Sequence, residues 1–138
     1  MLRECNRVLK SGGRIAGYVI HIPAGVTEAQ ERRAAELGPS DVTAPASPEA
    51  LTRAAGLTIV VTQDGTDAFR VTCAALAAAR RDLEDELRAD EGDDFYEEER
   101  RKKNAMLKGI DEGILRRSLV VANKESADHW DAVHPREP

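Results

Sequence analysis

The run Arg14-Ile15-Ala16-Gly17-Tyr18-Val19-Ile20-His21-Ile22 constrains the fold more than any other stretch of the chain. At a period of two, Ile15, Gly17, Val19 and His21 share one face, and Ala16, Tyr18, Ile20 and Ile22 share the other. A strand apolar on both faces belongs inside a layered α/β sheet, not on the half-wet face of an antiparallel one. Pro23 ends it, because proline has no N–H for a ladder. Upstream, residues 2–9 read as a short helix with Leu2, Cys5, Val8 and Leu9 near one face, and Ser11-Gly12-Gly13 turns the chain out of it.

Helices and strands alternate from there. Thr27 and Gln30 form a capping box that opens a helix to about Leu37, closed by Gly38-Pro39. Residues 38–46 read as a loop. Ser47-Pro48-Glu49 starts another helix, with an N-cap serine, a proline at the first helical position and an acid in the first turn. That helix stops at Gly56, and Leu57–Gln63 reads as the second strand. Thr66 or Asp67 opens the longest helical region, with a stripe of Phe69, Cys73, Leu76, Leu83 and Leu87. Gly92-Asp93-Asp94 breaks it, and a further helix spans about Phe95–Ile110. Leu115–Ala122 reads as the third strand. Residues 125–138 lack periodicity and read as a disordered tail. Trp130 lies there, as exposed tail or as a docking anchor.

The totals exclude several classes. At 138 residues the chain has room for one ordinary domain. A net charge of -5 and a pI near 5.3 argue against nucleic acid as a partner. No apolar run approaches a membrane span, and the N-terminus has no apolar signal core. A cytoplasmic location is expected. Cys5 and Cys73 have no metal-type spacing and read as thiols in a reducing compartment, with a bridge between them the lesser reading.

The stretch Arg7-Val8-Leu9-Lys10-Ser11-Gly12-Gly13-Arg14-Ile15 resembles the segment before the fifth strand of class I S-adenosylmethionine (SAM)-dependent methyltransferases, which usually reads R-V-L-K-P-G-G-R; Ser11 stands in the place of the proline. Leu51-Thr52-Arg53-Ala54-Ala55-Gly56-Leu57 resembles the family's approach to the sixth strand. Gly113–Ala122 resembles its seventh. The resemblance covers residues 1–124. It implies the C-terminal half of a Rossmann-like fold: a three-stranded mixed sheet of the fifth, seventh and sixth strands with covering helices, a helical insertion over 67–112, and a tail over 125–138.

It also implies a SAM-dependent transfer of a methyl group to a small-molecule acceptor. The family holds SAM on a glycine-rich turn after its first strand, and no G-x-G-x-G occurs in this chain. Gly12-Gly13 follows a helix and precedes a strand, so it is a turn and not a cofactor cradle. The cofactor-binding half is therefore expected to be missing, through a split or truncated gene or a mis-assigned Met1, and the chain is expected to be inactive alone. In the family's 4-5-7-6 order, strand 14–22 would then be an open edge, calling for a partner that supplies strands one to four or for self-association. The alternative is a non-catalytic assembly module that pairs through that edge.

His21 is the one candidate substrate-binding residue. It ends its strand at the carboxyl end, where α/β sheets place ligands and where the family borders its acceptor pocket. It would position an acceptor or take its proton, or else simply bond a nearby carbonyl. His129 and His134, with Asp128 and Asp131, suggest a metal site only as the lesser reading, because their spacing and the flexibility of the tail argue against it. Tyr18 reads as core beside Ala16 and Ile20, and Cys73 reads as core as well. Residues 24–46 and 67–112 fall where the family often carries a lid over its substrate. From Asp82 to Glu99 eleven acids face one base, Arg88. That run reads as a solvated face, as one side of a helical hairpin against Arg100–Lys103, or as a lure for a cationic acceptor.

Overall fold

The computed structural model describes residues 1–126. The described residues divide into two compact units, one made of Met1–Val19, Ala46–Asp64 and residues 118–126, the other of Ile20–Pro45 and Gly65–Arg117.

The first unit holds the sheet. Its strands are β1 (Arg14–His21, whose last two residues belong to the second unit), β2 (Thr58–Asp64) and β3 (Arg116–Asn123, whose first two also do), in the order β1-β3-β2. β3 therefore lies in the middle, as the resemblance implied for the seventh strand. β2 pairs antiparallel with β3, from Thr58 opposite Asn123 to Asp64 opposite Ser118, with an irregularity between Ile59 and Val61. β1 is antiparallel to β3 as well: the Lys124 N–H at the far end of β3 donates to the Gly13 carbonyl, and Arg14 Nε donates to Asn123 Oδ1. Among the described residues β1 has one neighbouring strand.

Helices α1 (Leu2–Val8) and α3 (Pro48–Ala54) lie over one face of this sheet. Leu2 and Leu9 pack with Ile15, Val19, Ala55, Leu57, Val120 and Ala122. The last carbonyls of α1 have no helical partner of their own. Lys124 supplies one, its Nζ donating to the Asn6 and Leu9 carbonyls at 2.7 and 3.0 Å. α3 starts as its sequence implies, with Ser47 Oγ accepting from the Ala50 N–H.

The second unit is helical: α2 (Glu28–Leu37), α4 (Thr66–Asp82), α5 (Glu84–Glu91) and α6 (Asp93–Asp111). The capping box at the head of α2 is formed in both directions. α4, α5 and α2 all pack on α6. The core gathers Ile22, Ala34, Cys73, Ile110, Ile114 and Leu115. The helical region breaks at Gly92, whose φ of 89° is the left-handed region that glycine enters at no steric cost. A smaller break at Leu83 separates α4 from α5.

The stripe expected along α4 needs correction. Cys73 and Phe69 do face the core and Leu87 is half-buried, but Leu76 and Leu83 are exposed. The buried line instead runs Phe69, Cys73, Ala77 in steps of four. Aromatic bulk comes from Tyr96 on α6, which is 1% exposed.

Candidate functional site

β1 carries the candidate residues, and it places them differently from one another. His21 is the last residue of β1 and is buried. Tyr18, expected in the core, is 58% exposed. The reason is the layering. α1 and α3 cover the face of Ile15 and Val19, while Ala16 and Tyr18, and Val61 on β2, stand exposed on the other face.

On the covered side a cavity of about 290 Å³ lies between α1 and the sheet, lined by Leu2, Cys5, Ile15, Leu57 and Val120 among others. The Thr52 hydroxyl at its wall already donates to the Pro48 carbonyl at 2.7 Å. The cavity is thus mainly apolar, with Cys5 and Tyr18 its ionisable side chains among the described residues. A wider groove of about 750 Å³ runs beside α6 and is lined by Glu97, Glu98, Arg100 and Arg101. Those charges pair with one another or with Arg88 along the helix surface, which is the arrangement of a solvated face.

Two turns lead from a strand to a helix, the position in which this architecture cradles a nucleotide. Neither fits SAM. After β1, the Gln30 N–H of α2 donates to the Thr27 hydroxyl, and the Thr27 N–H donates to Gln30 Oε1. After β2, the Gly65 N–H donates to the Arg117 carbonyl at 2.8 Å, and Thr66 Oγ1 accepts from the Arg117 N–H at 3.1 Å.

Six of the eleven acids of the run, Glu84, Glu91, Asp93, Glu97, Glu98 and Glu99, form ion pairs. Arg88 pairs with Glu84, Asp93 and Glu97, and stacks over the Tyr96 ring at 4.4 Å. Arg80 pairs with Glu91 at 2.6 Å, and its carbonyl accepts from the Tyr96 hydroxyl. The hydrogen bond from Arg88 holds the Glu97 carboxyl below the usual range, and that from Arg101 does the same for Glu98. Lys103 and Lys102 lower Glu99. The basic block Arg100–Lys103 thus serves mainly its own helix, at three- and four-residue spacing. The sequence reading missed Tyr96; an aromatic amid acids at the start of a helix was its only signal.

Both cysteines are free thiols, and burial pushes the Cys73 thiol up. Among the described residues no cluster suits a metal ion, and no helix is long and apolar enough to cross a membrane. Asp128, His129, Trp130, Asp131 and His134 lie outside the described residues.

No family model and no curated protein matches the chain. Solved structures do match in fold. A protein assigned as a sarcosine dimethylglycine methyltransferase from Galdieria sulphuraria superposes with a TM-score of 0.74 at 18% identity, over 90% of this chain and 46% of its own. The mycolic acid cyclopropane synthase CmaA1 gives 0.69 at 16%, over 89% and 51%. A phosphoethanolamine N-methyltransferase from Haemonchus contortus, in complex with phosphomonomethylethanolamine and S-adenosylhomocysteine, gives 0.70 at 13%, over 91% and 29%. The chain thus carries part of the SAM-dependent methyltransferase fold and spans about half the length of the first two of these proteins.

Proposed function

We propose that this chain is the acceptor-side part of a SAM-dependent methyltransferase acting on a small molecule, and that it is inactive by itself. The observation that carries the reading is the sheet order β1-β3-β2, which leaves β1 with one neighbour in a fold whose matched relatives are about twice as long. A body seated along β1 would supply the glycine turn and hold SAM. SAM, when bound, would supply an electrophilic methyl group to an acceptor lone pair, its methyl–sulfur bond breaking to leave S-adenosylhomocysteine. In this chain His21 borders the acceptor and either orients it or takes the proton it sheds. Residues 67–112, as a helical insertion, shield the acceptor from water. The assembled protein works in the cytoplasm.

The test is a calorimetric melt of the purified chain with and without excess SAM. A ligand that binds only the folded state raises the melting temperature. One cooperative transition, unmoved by SAM, is expected. A transition that rises with SAM would overturn the reading, because this part would then bind the cofactor unaided.

A second reading, a non-catalytic assembly module, draws support from the exposed Ala16, Tyr18 and Val61 beside the same open edge. A melt that ignores SAM is compatible with it. Methyl transfer restored by an added SAM-binding body would exclude it.

A further inference from the structure

Gly17 leaves a gap in the layer that α1 and α3 form over the sheet. It stands between Ile15 and Val19 on the covered face, yet it is exposed where both of those are half-buried. A Cβ built on it would meet nothing within 4 Å. Its backbone is not in the left-handed region, so the strand does not need glycine there for its conformation. A glycine inside a strand weakens it, and often marks a place where a ligand or another backbone comes close. The space beside it is the cavity of about 290 Å³ under α1, and every residue of its wall belongs to the first unit.

The wall decides what can enter. Leu2, Ile15, Val19, Leu57, Val120 and Ala122 line it, and it contains no Asp, Glu, Lys, Arg or His, in a chain that is 33% charged. Thr52 is fully buried, and its hydroxyl already donates to the Pro48 carbonyl. The Cys5 thiol hydrogen-bonds only weakly. An ordered water needs two to four polar partners, so water is a poor occupant. Size narrows the choice further. An apolar cavity of about 150 Å³ takes up benzene, so a partner's phenyl side chain would fill only about half of this one.

We propose that the cavity binds a small uncharged hydrocarbon, a fused two-ring aromatic or a chain of roughly ten carbons, lying over Gly17 between α1 and β1. Such a molecule replaces the side chain that Gly17 lacks and ties α1 to the sheet. It also covers Cys5. His21 is not part of this wall, so the site is separate from the acceptor position proposed above. The inference does not rest on the methyltransferase reading.

The experiment is a titration of the full chain with naphthalene. It is followed in amide nitrogen–proton correlation spectra and by the rate at which a disulfide reagent labels Cys5, read by peptide mass. Saturable shifts are expected at Cys5, Ile15, Gly17, Leu57 and Val120 and not along α4, α5 and α6. Labelling of Cys5 should slow at least about fivefold at saturation, because a thiol reacts only as far as it is accessible. Gly17→Leu puts a side chain into the space. It should weaken naphthalene binding at least about tenfold and raise the midpoint of urea denaturation. Should that variant misfold, the wild-type labelling rate still decides, and a rate that naphthalene leaves unchanged would overturn the proposal. So would shifts that never saturate, shifts centred on the exposed Ala16, Tyr18 and Val61, or a folded Gly17→Leu chain that binds as tightly as the wild type. Binding that emerges only once residues 127–138 are removed would make the tail the occupant, and the proposal would fail equally.

Discussion

Gly109 sits where α6 crosses Leu115, and there is no room for a side chain. A Cβ built there would lie 2.9 Å from Leu115 Cγ and 3.4 Å from its Cβ, and Leu115 is fully buried. The Gly109 carbonyl also accepts the N–H groups of Ile114 and Leu115, which fixes the turn after the helix. Gly109→Ala gains helix propensity yet overpacks the core, so a net loss of about 1–3 kcal/mol is expected in urea denaturation. An unchanged midpoint would mean that Leu115 finds another rotamer. At this scale the local features could be read in the sequence: the Thr27–Gln30 box, the Ser47 cap and the glycine at 92 act over a few residues. Lys124 capping α1 could not, because its partners lie more than a hundred residues away.

The α4–α5–α6 assembly is held at its far end by Arg88, Arg80 and Tyr96. Glu97, Glu98 and Glu99 all have carboxyls held below their ordinary value near 4.5 by arginine and lysine hydrogen bonds, and Glu112 is held down by Arg33. A lowered folded value means the folded state binds fewer protons than the unfolded one. Their contribution is present at neutral pH and is lost as pH falls below about 4.5 through the folded values. Arg88→Met removes the largest cause for Glu97. It should reduce stability at pH 7 and, because one depressed carboxyl is released, make stability fall less between pH 7 and pH 3 than in the wild type. Urea titrations at both pH values check this, and equal slopes would refute it. The helices themselves were legible from periodicity, but the buried face of α4 was not. Leucines suggested a stripe through Leu76 and Leu83, whereas the packing uses Ala77 and takes its bulk from Tyr96. Which small residue a large partner lies over depends on the neighbouring helix, and no local pattern encodes that.

For the whole molecule, the order β1-β3-β2 followed from family-like motifs and not from any physical pattern in the strands. The apolar character of both faces of β1 indicated a layered sheet but not which layer is present. Tyr18 was expected to be covered because its strand is apolar, and it is exposed because it does not share the face of Ile15 and Val19 that α1 and α3 cover. The account rests on β1 being an open edge, and amide hydrogen exchange read residue by residue at low protein concentration tests that most directly. In an antiparallel edge strand alternate amides point toward the neighbour and away from it. The account predicts slow exchange along β3 and, along β1, slow exchange at every second amide only. Uniform protection of β1, as deep as that of β3, would show that its outer edge is already paired and would contradict the account.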